Sequence, residues 1–506
     1  MTTLETYISA RPRAVHHAGP FHLTLTDRKF LLAAIAALAV VRLLLMFWLP
    51  LTDSTEARYA EIARKMVETG DWITPQFDYG VPFWGKPPLH TWLSALGMRL
   101  FGVGEFGARI FIFLSGLGVL GLTGAFLKRH ATAEQALVVV CVLFSSIMFF
   151  GASAFVMTDM AMTLGTTLGM VAFFNHATDA EGRKIWGNLF FVGLAIGLLA
   201  KGPVAAVLTV MPVGLWVLAG GRWSVLRRLP WATGGALLLV LALPWYIAAE
   251  MKTPGFLRYF IIGEHFERFV VPGWSGDLYG SGHIRPKGMI WLYGLGIFLP
   301  WTLFAGLLAL RARRVAQVVR QDGQGWYSYL FFWTIAPMLL FTAAANILPA
   351  YALPGMPAAA LLLVSLWAAV CGAPGRAARA LFVLSAGCVI AIFLAGAVLV
   401  RVSPERLNLK SQKALVETAM QVDPDIHLTY WGGRSYSAEF YTAGKSTGTT
   451  GKQGLRALLT NDTRDAVAVR PDALDTVTEI LGARFTNLGK IGRNNLLVEA
   501  AEEDET

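Results

Sequence analysis

The chain has 506 residues, of which 55% are hydrophobic and 15% charged, with 16 Trp and a formal net charge of +10. That balance excludes an ordinary soluble enzyme and describes a polytopic membrane protein, in which excess Lys and Arg set orientation and need not mark a nucleic-acid binder. Three cysteines, Cys141, Cys371 and Cys388, all in or beside apolar runs, exclude a disulfide framework and read as buried thiols.

In chain order, residues 1–28 form a polar cytoplasmic segment, and the first apolar run, Phe30 to Pro50, is long enough to be retained as a helix rather than cleaved as a signal peptide. At about 20 apolar residues per crossing, spans fall near 30–50, 106–127, 134–151, 155–175, 186–200, 203–220, 231–250, 288–310, 326–345, 350–371 and 378–401, about eleven in all. Arg11, Arg13, Arg28 and Lys29 precede the first span. Lys128 and Arg129, Arg183 and Lys184, Arg222 with Arg227 and Arg228, Arg311 with Arg313, Arg314 and Arg320, and Arg376 with Arg379 occupy every second loop after it. All these loops lie on one side, which the positive-inside rule makes cytoplasmic. The unusual polar features fall on the other side: the loop 51–105, Asp159, Lys201, the loop 251–287, and Asn346 to Tyr351.

The first of these loops is too charged to cross a bilayer. Glu56 to Glu68 has helical spacing and predicts an amphipathic helix along the interface, with Glu61, Arg64, Lys65 and Glu68 on its solvated face. A turn at Trp84-Gly85-Lys86-Pro87 leads to a second interfacial helix, Leu89 to Phe101. The second loop carries Gly280-Ser281-Gly282-His283, a weak phosphate signal because it lies in a loop with no preceding strand.

From 402 on, the composition becomes that of a small soluble α/β domain: helices at 409–421, 435–441, 454–460 and 472–481, strands at 426–431 and 466–470, and a closing hairpin of 484–490 with 494–500 across Gly492-Arg493. It reads as a cap or docking platform, and its acidic end, Glu502 to Thr506, as frayed. The organisation expected is thus 1–28, a membrane domain over 29–401, and an extracytoplasmic domain over 402–506.

Cations beside carboxylates at an outer membrane face suit an activated lipid phosphate: Lys and Arg stabilise charge on a departing phosphate while a carboxylate accepts a proton from an attacking hydroxyl. Each residue also has a plainer reading. Arg58, Lys86 and Arg268 could be snorkelling anchors, and Lys201 an interfacial lysine. Trp72, Trp84, Trp92 and Trp274 fit an aromatic belt, and His265 and His283 fit ordinary loop histidines. Asp159 inside an apolar stretch is costly, which favours a role for it.

The segments Thr55-Glu56-Ala57-Arg58-Tyr59-Ala60-Glu61-Ile62, Gly70-Asp71-Trp72-Ile73-Thr74-Pro75, Lys86-Pro87-Pro88, Phe101-Gly102-Val103, Thr158-Asp159, Ala200-Lys201-Gly202-Pro203, Glu264-His265-Phe266-Glu267-Arg268-Phe269 and Leu348-Pro349-Ala350-Tyr351-Ala352-Leu353-Pro354 together resemble bacterial GT-C glycosyltransferases, the aminoarabinose lipid A transferases and their protein-mannosyltransferase-like relatives. The resemblance spans roughly residues 30–355 and implies a mainly α, GT-C membrane bundle in a bacterial inner membrane, with its site facing the periplasm. It further implies inverting transfer of a sugar from a polyprenyl phosphate to a lipid or protein acceptor, lipid A among them.

The resemblance also implies roles. Glu56 matches the second member of an Asp-Glu pair, and Thr55 stands where the family often has the Asp, so either Glu56 carries the role or Asp53 reaches it. Asp159 matches a second acidic motif; Arg58, Lys86, Lys201 and Arg268 would face the lipid phosphate, and Tyr351 would lie near the donor. Gly85 replaces a Glu of the aminoarabinose enzymes, which leaves open a metal site using a His such as His265; a divalent metal is possible and no cofactor is required. The competing class is a transporter or lipid flippase, which would put its ionisable groups near the midplane of matched halves. No correspondence between the halves is evident in the sequence.

Overall fold

A computed structural model of the chain describes residues 21–179, 183–271, 274–280, 285–344, 346–372, 375–402 and 409–500. Arg11, Arg13, Ser281 to His283 and the acidic end 502–506 lie outside the described residues. The chain divides into two compact units: Met1–Leu43 with Trp72–His90 and Phe111–Ala391, and Leu44–Asp71 with Thr91–Ile110 and Ile392–Thr506.

The first unit is a helical bundle. Every expected span contains helix, but among the described residues seven helices are long and apolar enough to cross a membrane, eight if a bent pair counts as one. Four of the eleven expected spans depart from a single long apolar helix. The run 134–151 breaks into Ala133–Phe144 and Ile147–Ala152, where the Ser145 and Ser146 hydroxyls bond back to Cys141 and Val142 carbonyls. The run 288–310 is Met289–Ile297 and Trp301–Ala309, bent by 106°, and Pro300 between them lacks the amide to continue the ladder. Trp326–Phe341 is short, with 16 residues. Thr158–Thr178 is long enough but too polar, with Asp159 and five threonines; it is buried by protein along nearly its whole length, so protein and not lipid solvates those groups.

That helix packs against Lys184–Lys201, which in turn carries Trp231–Lys252. Pro203–Gly220, Trp326–Phe341 and Met356–Cys371 follow in contact. Their shared core is aromatic, and its polar edges are satisfied by the backbone: Tyr329 donates to the Met170 carbonyl at 2.6 Å, Trp216 to Gly325 at 2.7 Å and Trp333 to Pro354 at 3.0 Å. Cys141 is buried as expected, whereas Cys388, on the weakly buried helix Arg376–Val402, is exposed.

In the second unit a five-stranded sheet has the order Thr447–Thr449, His427–Trp431, Asp465–Val469, Asn494–Glu499, Phe485–Ile491. The first three strands are parallel and the last two antiparallel. Period-2 alternation splits Asp465–Val469 between two cores: Ala466 and Ala468 pack with Leu415, Leu428 and Leu496, and Val467 and Val469 with Leu455, Val477 and Leu497.

The helix Thr55–Thr69 lies where its pattern places it, but its charged face is not solvated. Glu61 and Lys65 are each 1% exposed and Arg64 6%; only Glu68 of the four faces outward. The helix packs on Tyr436–Tyr441. Burial is tolerated because the charges pair: Arg64 holds Glu61 at 2.7 Å and Glu68 at 2.6 Å, and Lys65 lies 3.9 Å from Glu439. Burial raises the Glu61 carboxyl above its ordinary value, against the pull of Arg64.

Candidate functional site

The site in the first unit begins with a glycine seam. A Cβ added at Gly165 would lie 2.6 Å from the Gly197 amide, and one at Gly193 would lie 2.5 Å from the Gly169 amide. Helices Thr158–Thr178 and Lys184–Lys201 therefore run antiparallel in backbone contact, the close approach that small residues permit. That register sets the first turn of one helix beside the last turn of the other. Asp159 and Lys201 meet there, Nζ to Oδ1, at 2.5 Å, and are only 5% and 8% exposed. Each charge also sits at the helix end whose dipole favours it.

Gly202 ends this helix with φ +81°. A Cβ there would lie 2.5 Å from Phe260 and 3.2 Å from His265, so glycine admits both rings to the junction. The Lys201 ammonium stands 4.4 Å from the centroid of the Tyr351 ring, a cation–π contact.

A π-helix, Arg258–Glu267, runs directly into Arg268–Val270. Such wide turns re-aim side chains and recur at functional sites. Glu264 accepts from Lys86 at 2.7 Å and from Arg268 at 2.8 and 3.0 Å; Arg268 also lies 3.3 Å from Asp277, and its carbonyl accepts from Asn346 at 3.0 Å. Burial pushes the Glu264 carboxyl up, but Lys86 and Arg268 outweigh it and hold the group below its ordinary value. His265 turns Nδ1 to the Phe260 carbonyl at 2.8 Å and Nε2 to the Lys201 carbonyl at 3.2 Å. Burial, reinforced by Lys86, holds its imidazole below 6.5 despite those carbonyls.

The structure thus brings Asp159, Lys201, Tyr351 and His265 together, and ties Lys86 to Arg268 through Glu264. Glu264, Asp277 and Asn346 were not among the residues the sequence assigned a role. The signal for Glu264 was its i,i+4 spacing to Arg268.

The other candidates belong to the second unit. Glu56, 1% exposed, accepts from Arg109 Nε at 2.9 Å and from Thr52, while Arg109 also donates to the Met46, Leu49 and Pro50 carbonyls. Asp53 accepts from the Ser435 hydroxyl at 2.8 Å and from the Ser437 amide and hydroxyl at 2.8 and 2.7 Å. Arg58 lies 5.2 Å from the Tyr59 ring and 5.8 Å from that of Tyr436.

The donor set does not suit a metal. Among the described residues no three His, Cys, Asp or Glu side chains converge on one point, and both nitrogens of His265 face carbonyls.

Residues 28–260 match the family model for dolichyl-phosphate-mannose-protein mannosyltransferases. The undecaprenyl phosphate-α-4-amino-4-deoxy-L-arabinose arabinosyl transferase of Edwardsiella ictaluri is 34% identical over 349 residues, 66% of this chain and 58% of that protein. The enzyme of the same name from Aeromonas hydrophila is 31% identical over 62% of this chain and 56% of its own. The matched region thus spans less than two thirds of either relative. Among solved structures, ArnT from Cupriavidus metallidurans bound to undecaprenyl phosphate superposes with a TM-score of 0.74 at 20% identity, covering 94% of this chain and 98% of that one. The archaeal oligosaccharyltransferase AglB from Archaeoglobus fulgidus superposes with a TM-score of 0.52 at 11% identity, covering 96% and 75%.

The fold is that of a multi-pass GT-C membrane protein carrying a small α/β domain. The chain is similar to the protein mannosyltransferases over residues 28–260 and to the aminoarabinose transferases over 66% of its length.

Proposed function

We propose that the chain is an inverting glycosyltransferase of the bacterial inner membrane, working at the periplasmic face and taking its sugar from a polyprenyl phosphate. The observation that carries this reading is the buried pairing of Lys201 with Asp159 beside the half-buried pairing of Lys86 and Arg268 with Glu264. By analogy with the relatives named above, the donor is an undecaprenyl-phosphate aminoarabinose and the acceptor lipid A.

In the reaction the bond from the anomeric carbon to the phosphate oxygen breaks while an acceptor oxygen attacks from the opposite face. The phosphodiester gains one negative charge on leaving, so cations held in a dry site stabilise the transition state more than the ground state. Lys86, Lys201 and Arg268 take that role, with Tyr351 on the donor; their carboxylate partners hold them in place until phosphate shares them. Asp159 receives the proton of an acceptor hydroxyl or orients the acceptor.

Purified full-length protein in liposomes with undecaprenyl-phosphate aminoarabinose and lipid A should yield modified lipid A by mass spectrometry. Absence of transfer from this and from other polyprenyl-phosphate sugars to lipid and protein acceptors would overturn the reading.

A further inference from the structure

A second pocket lies wholly within the sheet-bearing unit and is not explained by the donor chemistry above. It opens at the carboxyl ends of the parallel strands His427–Trp431 and Asp465–Val469, the edge where α/β sheets bind ligands because loops diverge there. Asn494–Glu499 runs antiparallel to Asp465–Val469, with Asn495 opposite Val469, so its first residue and the hairpin turn before it return to the same edge. Among the described residues, four cations consequently line one cavity, Lys410, Arg434, Arg470 and Arg493, against one carboxylate, Asp53.

The arrangement is built. Asp53 spends its oxygens on three donors from Ser435 and Ser437, which fixes the loop after the first strand. Arg434 is clamped on Glu439 through Nε and Nη2, both at 2.6 Å, and lies 5.2 Å from the Tyr436 ring. The buried Gln412 accepts from Tyr430 at 3.3 Å and Asn494 at 3.2 Å, closing the floor. Gly432 and Gly433, at φ +92° and +130°, carry the chain across the mouth, and a Cβ on either would meet nothing within 4 Å. Backbone conformation, not crowding, calls for glycine there.

Phosphate suits the guanidinium groups, which present paired N–H donors. The part-exposed Trp431 and Tyr436 rings offer apolar faces for the C–H surface of a sugar. At about 260 Å³ the cavity falls below the ~300–1,000 Å³ typical of drug-sized ligands, and so fits a single phosphorylated ring.

We propose that this pocket binds the phosphorylated saccharide headgroup of the acceptor lipid, with Lys410, Arg470 and Arg493 at the phosphate and Trp431 against the sugar. The assignment to the acceptor rests on the transferase reading; the binding of a sugar phosphate does not.

Titrate the full-length protein in detergent, by calorimetry, with glucose 1-phosphate, glucose and inorganic phosphate. Glucose 1-phosphate should bind at least 10-fold tighter than glucose. Arg470→Ala with Arg493→Ala should weaken it at least 10-fold, the paired Lys substitutions less. Trp431→Ala should weaken glucose 1-phosphate and spare inorganic phosphate, and Asp159→Asn should bind as wild type does. Equal binding of glucose and glucose 1-phosphate, or wild-type affinity in the double Ala variant, overturns the site. In transfer assays the double Ala variant should raise the acceptor KM at least 10-fold with donor KM and kcat within twofold. An unchanged acceptor KM beside lost glucose 1-phosphate binding overturns the lipid assignment and leaves a site for a free sugar phosphate. If wild-type protein transfers no sugar at all, the transferase reading fails while the calorimetry still decides whether the pocket binds.

Discussion

Asp159 and Lys201 hold each other in a site with little water, so removing one charge strands the other. Losing one member of a buried pair costs about 3–5 kcal/mol, which would confound any activity measurement on a single variant. Lys201→Met alone should lower the Tm, and Asp159→Asn with Lys201→Met should recover most of it yet stay inactive. Asp159→Asn should lose roughly 10²–10⁴-fold in kcat, the range for a lost general base; near-wild-type turnover in both variants would remove Asp159 from the chemistry. Lys86→Ala and Arg268→Ala each delete a charge-assisted contact of about 1.5–3 kcal/mol, so donor kcat/KM should fall about 10- to 100-fold with the acceptor KM little changed. Chelation of the purified protein should leave the proposed transfer intact, since His265 turns both nitrogens to carbonyls; loss restored by one added divalent ion would contradict that. At this scale the sequence exposed Asp159 and Lys201 because a charge in an apolar run is conspicuous. It did not show that Glu56 meets Arg109, 53 residues away, nor that Glu61 and Lys65 are buried. Ion-pair partners distant in the chain leave no periodic trace.

Between helices, the seam of Gly165, Gly169, Gly193 and Gly197 sets the register on which the Asp159–Lys201 pair depends. Gly193→Val must push two backbones apart, and overpacking of this kind costs about 1–3 kcal/mol. The variant should show a lower Tm in detergent and lose transfer, although residue 193 lies more than a helical turn from Lys201. If Gly193→Val matched wild type in both, the seam would not be setting the register. Both halves of the seam stand in the sequence as Gly165-Thr166-Thr167-Leu168-Gly169 and Gly193-Leu194-Ala195-Ile196-Gly197, a small-xxx-small pattern in adjacent spans that hydropathy alone passes over. The C-terminal sheet was legible nearly strand by strand, because alternation and turn residues act locally. The strand Thr447–Thr449 escaped, being three residues of Thr-Gly-Thr with no apolar pattern. Broken spans escaped for the opposite reason: Ser145-Ser146 and Pro300 sit in runs apolar enough to pass as single helices.

For the molecule as a whole, His265 predicts how stability depends on pH. Its imidazole is held below 6.5 in the fold, so as pH falls the unfolded chain takes up the proton first. This contribution is complete above 6.5 and lost as pH falls towards the folded value; Glu264, also lowered, adds a second loss below 4.5. Thermal melts from pH 7.5 to 5 should show falling Tm, with a flatter profile for His265→Asn; parallel profiles would refute the assignment. The salt-bridged helical hairpin bears, finally, on biogenesis. A charged residue presented alone to the translocon costs up to about 2.5–3.5 kcal/mol at a helix centre and less near an end. Thr158–Thr178 is too polar to qualify as a span by hydropathy, yet Lys184–Lys201 brings the counter-charge and a glycine seam that packs against it. The two helices should therefore partition into the bilayer as one unit in which Asp159 and Lys201 neutralise each other. In a glycosylation-mapping series, a nascent chain truncated after Thr178 should leave this helix uninserted, and extension through Lys201 should bring both helices in together.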